Sequence, residues 1–144
     1  MKKIILLTTF LLFLINCNDL SEGQKRRKLE FLYKLNNEAS ILREYTYRIH
    51  SYEDLDFYKG RLDKSEEAAK EIDLVKNWNR SDELREVFLI KIKENKETTD
   101  SLIKDEEKIN DEEFPDNKTV IEMKMKMDDF VDFIYKEISI IDKE

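Results

Sequence analysis

Apolar residues recur at every third or fourth position along most of the chain, which is the spacing that places them on one face of an α-helix. The clearest stripe lies near the C-terminus and comprises Val120, Met123, Met127, Phe130, Ile134, Ile138 and Ile141. Only two glycines and one proline occur in 144 residues, fewer than β-proteins and nucleotide-binding α/β folds usually need. The sequence therefore predicts an all-α fold, and its 40% hydrophobic content is enough for a packed core.

Three further stripes precede this one, and polar breaks separate them. The first comprises Leu29, Leu32, Leu35 or Asn36, Ala39, Leu42, Tyr45 and Ile49. The second comprises Leu55, Tyr58, Leu62, Ala69, Ile72, Val75 and Trp78, and the third Leu84, Val87 or Phe88, Ile92, Asn95, Thr99, Leu102 and Ile109. Broad stripes with frequent breaks favour an antiparallel bundle of about four helices over a coiled-coil dimer.

Local signals in the first half of the chain indicate where helices begin. Ser51 followed by Asp54 resembles a capping box, in which the hydroxyl accepts a hydrogen bond from a free backbone N–H. The pair predicts the start of the second helix. Gly60 costs up to about 1 kcal/mol inside a helix relative to alanine. It predicts a kink or break, with Ser65 as a new cap.

Further signals divide the second half. Residues 77–80 (Asn-Trp-Asn-Arg) predict a turn, and Ser81 followed by two acidic residues predicts the capped start of the third helix. The polar run 95–101 predicts that this helix projects or packs weakly there. Pro115 cannot continue a helix, so residues 111–117 are expected to form a loop.

The chain opens with a short apolar segment. Lys2 and Lys3 precede residues 4–15, which are apolar except for two threonines. Twelve residues of helix span about 18 Å, well short of the ~30 Å hydrocarbon core of a bilayer. The segment is therefore typical of the apolar region of a signal peptide rather than of a membrane-spanning helix.

The only cysteine, Cys17, follows this segment, so no intramolecular disulfide is possible. The run Leu14-Ile15-Asn16-Cys17 resembles the lipobox of bacterial lipoproteins, although Asn16 replaces the usual small residue, as in the looser lipobox of spirochaetes. The resemblance implies a signal peptide over residues 1–16 and acylation of Cys17. A flexible tether is expected over 17–24 and a helical domain over 25–144. The alternative is an ordinary secretory signal with an incidental cysteine.

A compact basic cluster follows the expected tether and comprises Lys25, Arg26, Arg27 and Lys28. It is either a solvated first helical turn or a contact with anionic lipid headgroups. The whole chain carries a formal charge of −7, and removing two lysines with the signal peptide leaves 24 basic and 33 acidic residues, or −9. An acidic body of this kind disfavours nucleic acid as a partner.

Residues for catalysis and metal binding are few. The single histidine, His50, is interpreted as a surface or capping residue, and no glycine-rich phosphate loop is present. The acidic runs 105–107 and 111–113 lack the alternation of a calcium loop and are interpreted as solvated helix ends. Met123 and Met127 are expected in the core, while Met125 faces elsewhere. We therefore expect no cofactor, no metal and no small-molecule substrate, and an enzyme using carboxylates ranks last among the hypotheses.

Aromatic and basic residues alternate around the junction of the first two predicted helices. The set comprises Arg43, Tyr45, Tyr47, Arg48, Tyr52, Phe57, Tyr58 and Arg61. Tyrosine and arginine are enriched at the energetic centres of protein interfaces. Two interpretations stay open: the rings pack a corner between helices, or they form a partner-binding surface.

The lax lipobox and a composition rich in Lys, Asn, Ile and Phe but poor in Ala, Gly and Pro resemble plasmid-encoded outer-surface lipoproteins of the Lyme-disease spirochaete group. The resemblance implies a helical bundle displayed on the outer membrane that binds a host protein. It transfers no binding residue, since no binding motif matches. The alternative function is a structural or accessory lipoprotein that faces the periplasm.

Overall fold

A computed structural model describes the backbone of residues 2–104 and 118–144, and the side chains from residue 21 onward within those ranges. The described residues form four α-helices and no strand. The helices are α1 (Lys2–Tyr47), α2 (Tyr52–Glu71), α3 (Arg80–Lys104) and α4 (Lys118–Asp142). The predicted all-α fold of about four helices is confirmed.

Helix α1 packs against both α4 and α2, and α2 packs against α3. The α1–α4 pair is antiparallel. The Lys28 ammonium lies 2.7 Å from the Glu144 carboxylate at one end of the pair, and the Tyr47 hydroxyl lies 2.5 Å from the Asp128 carboxylate nearer the other end. One end of the bundle therefore contains Lys28 of α1 and Glu144. The opposite end contains the α1–α2 turn.

The α2–α3 pair is antiparallel as well. Across α2 and α3, Lys59 contacts Asp100 while Lys96 contacts Glu66. Helix α3 meets α4 through Phe88 and Phe130, whose rings stack with centroids 5.2 Å apart. All seven members of the predicted C-terminal stripe are buried, as are Leu32, Leu35, Ala39, Leu42, Leu55, Leu62, Leu84 and Ile92.

Helix α1 continues through residues 17–24, where the sequence predicts a flexible tether. Gly23 lies inside the helix, and its carbonyl accepts a hydrogen bond from Arg27 Nε at 3.2 Å. The neighbouring residues are mostly Glu, Gln, Lys and Arg, which favour the helix strongly enough to span one glycine. At 1.5 Å per residue, Lys25 lies about 12 Å along the helix axis from Cys17.

The capping box at Ser51 is confirmed. The Asp54 backbone N–H donates to Ser51 Oγ at 3.3 Å, and the Asp54 carboxylate accepts the His50 backbone N–H at 2.9 Å. These hydrogen bonds satisfy polar groups that the helix start would otherwise leave unpaired.

No break occurs at Gly60, and the predicted cap at Ser65 is wrong. Helix α2 runs unbroken from Tyr52 to Glu71, and Ser65 is fully buried with its hydroxyl donating to the Glu38 carboxylate at 3.0 Å. The buried face of α2 stabilises the helix by more than the roughly 1 kcal/mol that glycine costs.

The turn before α3 is confirmed, with Asn77 in the left-handed region at φ 65°. The predicted role of Ser81 as the cap of α3 is wrong, since the helix begins at Arg80. The Ser81 hydroxyl is buried and forms hydrogen bonds with the α2–α3 connection instead. It donates to the Trp78 carbonyl at 2.8 Å and accepts the Val75 N–H at 3.1 Å.

The polar middle of α3 packs inside the bundle, contrary to the sequence prediction. Asn95 and Thr99 are both buried. The Asn95 amide donates to the Lys91 carbonyl at 2.8 Å, and the Thr99 hydroxyl donates to the Asn95 carbonyl at 2.7 Å. Polar residues are tolerated here because their hydrogen bonds are satisfied. The predicted loop over 111–117 and the stripe residue Ile109 lie outside the described residues.

Candidate partner-binding surface

The aromatic and basic residues around the α1–α2 turn divide into interior and surface positions. Tyr58 is fully buried, and its hydroxyl donates to Asn95 Oδ1 at 3.1 Å. Burial raises the pKa of the Tyr58 hydroxyl, so it stays neutral at physiological pH. Its predicted place in a partner surface is wrong, because the folded protein does not expose it.

Arg61 belongs to an internal contact between α1 and α2. Its guanidinium donates to the Glu38 carboxylate at 2.6 Å, and both side chains are largely covered. Ser65 donates to the same carboxylate. The Arg61 guanidinium is therefore engaged between the helices, and its role in partner binding stays a prediction.

Three further members lie at the edge of the core. Tyr45 and Tyr52 are partly buried and pack against the apolar cluster. The Arg48 guanidinium lies over the Tyr45 ring, 5.7 Å from its centroid, and also pairs with Glu44. The corner-packing interpretation holds for these two tyrosines, while Arg48 remains exposed.

Tyr47 and Arg43 are the members of the set that lie beside α4. Tyr47 is 51% exposed, and its hydroxyl donates to the Asp128 carboxylate of α4. This hydrogen bond is the main reason that the pKa of the Tyr47 hydroxyl is raised above its ordinary value, and desolvation contributes less. Arg43 Nε lies 4.0 Å from the same carboxylate, and the Lys124 ammonium lies 5.9 Å from the centre of the Tyr47 ring.

These side chains border a cleft of about 700 Å³ between α1 and α4, which we call the distal cleft. Its lining residues are Asn37, Ser40, Ile41, Arg43, Glu44, Tyr47 and Asp128. The lining combines an aromatic ring, an aliphatic side chain and charges of both signs. Such a mixture suits a polypeptide ligand, which offers both apolar and hydrogen-bonding groups.

Two exposed apolar side chains lie on α4, the helix that contributes Asp128 to the cleft. Ile121 and Met125 lie one turn apart on the same helix as Lys124 and Asp128. The exposure of Met125, beside the buried Met123 and Met127, confirms the expected division of the methionines. Sequence reasoning missed Asp128 and Lys124, because no local pattern links them to Tyr47 about 80 positions earlier.

The basic cluster is divided between internal and outward contacts. Lys25 Nζ donates to the Asp142 carbonyl at 2.8 Å, and Lys28 pairs with Glu144 and lies over the Trp78 ring. Arg26 and Arg27 remain exposed. Two members therefore hold the C-terminus, and two stay available to solvent or to another surface.

The expected lipid site and lipobox, Leu14, Ile15, Asn16 and Cys17, fall within the backbone span of α1, and their side chains lie outside the described residues. Within the described part of the chain, no helix is long and apolar enough to cross a bilayer. The acylation of Cys17 stays a prediction.

Among the described residues, no three His, Cys, Asp or Glu side chains are grouped so that they could hold a metal ion. His50 is exposed, and its backbone N–H donates to the Asp54 carboxylate. The distal cleft is the pocket that Tyr47 and Arg43 of the predicted aromatic and basic set line together. Comparisons with known protein families, with curated proteins and with solved structures returned no match.

Proposed function

We propose that the protein is a membrane-anchored surface lipoprotein that binds a protein partner through the distal cleft. The resemblance to spirochaete lipoproteins implies that this partner is a host protein. The observation that carries the proposal is the placement of the cleft toward the α1–α2 turn, away from the segment that contains Cys17.

Helix α1 connects these two features. Thirty residues separate Cys17 from Tyr47, which corresponds to about 45 Å of continuous helix. An anchor at Cys17 would therefore leave the cleft far from the lipid surface and open to a large ligand. Two or more acyl chains are needed for stable attachment, as the lipobox resemblance implies.

The cleft also has the composition of a binding centre. Tyr47 offers a large ring held in place by its hydrogen bond to Asp128, so little conformational entropy is lost when a partner covers it. Arg43 lies beside the same carboxylate and is about two-fifths exposed. Tyrosine and arginine in partly desolvated positions contribute most to binding at protein interfaces.

Protease treatment of intact cells tests the display of the domain. We expect loss of the protein on immunoblots while a periplasmic control protein survives. Digestion of lysed cells in parallel shows whether the bundle itself resists protease. Cleavage only after lysis would argue against surface display and favour the accessory function in the periplasm.

The anchor is tested by replacing Cys17 with alanine. We expect an unprocessed precursor that no longer incorporates palmitate, whereas the unaltered protein is labelled. Equal labelling of both proteins would contradict acylation at Cys17.

The binding surface is tested with a photo-crosslinking amino acid at Tyr47. The matched control is the same substitution at Tyr33, which is 56% exposed and lies on the same helix nearer the anchor. We expect adducts with partner proteins at Tyr47 in excess of those at Tyr33. Equal yields at the two positions would show that the cleft has no special role.

A further inference from the structure

The end of the bundle opposite the distal cleft brings together three parts of the chain, and we call it the basal face. It consists of residues 21–30 of α1, the α2–α3 connection with its flanks (70–80), and the C-terminal residues 142–144. Lys25 contacts the Asp142 carbonyl, and the Lys28 ammonium lies 5.9 Å from the centre of the Trp78 ring. These contacts bring all three segments to one end of the molecule.

The basal face differs in charge from the rest of the protein. Its three segments contain eight basic and six acidic side chains, a formal excess of two positive charges. From Cys17 onward the chain has 24 basic and 33 acidic side chains, so the remainder carries a formal charge of −11. Phosphate groups would therefore repel most of the protein but not this end.

Several side chains of the basal face point outward without an internal role. Arg26 and Lys76 are exposed and form no ion pair with any described residue, and Arg27 donates only to the Gly23 carbonyl. Leu74 is 42% exposed and lies in the same connection as the partly buried Trp78. Cationic side chains beside leucine and tryptophan are typical of groups that lie at a membrane interface.

The anchor would place this face close to the bilayer. Lys25 lies about 12 Å along α1 from Cys17. Each headgroup layer is about 5–8 Å thick, so the remaining gap is comparable to the Debye length of about 8 Å at physiological salt. Charges on the basal face would thus lie within about one Debye length of the headgroup phosphates, where screening is incomplete.

We propose that the basal face docks onto phospholipid headgroups, with Arg26, Arg27 and Lys76 contacting phosphates and Leu74 entering the interfacial layer. The proposal rests on the proposed anchoring at Cys17. It assigns Lys25 and Lys28 to holding the C-terminus rather than to lipid. Docking would hold the bundle upright and direct the distal cleft away from the membrane.

Trp78 is the only tryptophan in the chain, so its fluorescence reports on the basal face alone. The lipidated mature protein is reconstituted into vesicles of phosphatidylcholine and phosphatidylglycerol that contain a lipid with a nitroxide on its headgroup. We expect quenching of Trp78 that weakens when phosphatidylglycerol is omitted or when salt is raised to the molar range.

Variants identify the contacts. Arg26→Gln and Lys76→Gln remove one cation each, and each is expected to lower the docking equilibrium constant about fivefold, since a cation near the surface contributes about 1 kcal/mol. Leu74→Asp is expected to reduce quenching further. The matched control is Lys93→Gln on α3, whose side chain is highly exposed and outside the basal face. It should leave quenching unchanged.

Vesicle flotation, measured on the same samples, separates the two proposals. Flotation with strong quenching that the basal variants reduce supports docking. Flotation with quenching that is weak, or equally affected by Lys93→Gln, overturns docking and leaves the anchor intact. Failure to float overturns both proposals.

Discussion

The Tyr58 hydroxyl lies in the interior of the bundle and donates its proton to the side-chain oxygen of Asn95. The Asn95 amide in turn donates to the Lys91 carbonyl and lies 3.8 Å from the Met127 sulfur. One polar pair thus links α2 to α3 and contacts α4 within the buried core. Such a pair favours one helix register, because any shift would leave both groups buried and unpaired.

Replacing Tyr58 with phenylalanine tests this pair. The change leaves Asn95 Oδ1 without its donor, so we expect the free energy of unfolding to fall by about 1–2 kcal/mol. Tyr33→Phe on the exposed face of α1 is the control and should change stability by less than about 0.5 kcal/mol. Urea denaturation followed by circular dichroism measures both, and equal effects would show that the buried hydrogen bond contributes nothing.

At the scale of a helix, local capping determines where α2 begins. The Ser51 hydroxyl oxygen accepts a hydrogen bond from the Asp54 N–H, and the Asp54 carboxylate accepts one from the His50 N–H. Both hydrogen bonds join residues at most four positions apart in the sequence. Ile49, two residues before the cap, is fully buried and holds the α1–α2 turn against the core.

Ser51→Ala removes the capping oxygen. We expect a loss of about 1 kcal/mol in the free energy of unfolding, as is typical of N-caps. Ser139→Ala makes the same chemical change at an exposed position in α4 and should have little effect. If the two variants unfold at the same urea concentration, the cap is not a determinant of stability.

Gly60→Ala tests the continuity of α2. A Cβ atom at this position would meet nothing within 4 Å, and the helix accepts alanine readily. We therefore expect a gain of about 0.5–1 kcal/mol, since glycine costs that much more backbone entropy on folding. Destabilisation, measured in the same urea experiment, would indicate that α2 is bent or broken at residue 60.

At the scale of the whole molecule, ion pairs cross the seam between α2 and α3. Lys96 lies 2.6 Å from the Asp63 carboxylate and also pairs with Glu66, and Lys59 pairs with Asp100. Hydrogen bonds from Lys70 and Lys96 lower the pKa of the Glu66 carboxyl to about 2. The pKa of the Asp100 carboxyl is lowered as well, chiefly by its hydrogen bond from Lys59.

These shifts predict lower stability in acid. A carboxyl whose pKa is depressed in the folded state contributes stability that is fully present above its ordinary pKa, near 4.5 for Glu66, and is lost as the pH falls toward 2. We expect the free energy of unfolding to decline across that window. The decline should be smaller in Glu66→Gln, and an unchanged pH profile in this variant would show that the ion pair does not contribute.

Features that depend on neighbours within about four positions could be predicted from the sequence. The α4 stripe and the Ser51 cap are of this kind, and both are confirmed. The turn around Asn77 is confirmed for the same reason, since asparagine tolerates a positive φ. The division of the methionines follows from helical periodicity alone.

Predictions at Gly60 and Asn95 failed because packing between helices outweighed a local preference. Glycine disfavours a helix by an amount smaller than the burial energy of the α2 face. The polarity of Asn95 is satisfied by Tyr58, which lies 37 positions away. Partners at that separation leave no periodic signal in a single chain.

The sequence by itself determined the helical class, the four-stripe organisation and the prediction of a lipid anchor at Cys17, because each is carried by residues close together in the chain. Only the tertiary structure decided that Tyr58 is buried, that Arg61 pairs with Glu38 between two helices, that Asp128 joins Tyr47 at the distal cleft, and that Lys25 holds the C-terminus. Which face of a helix stays uncovered depends on the helices packed against it, and those neighbours are distant in the chain.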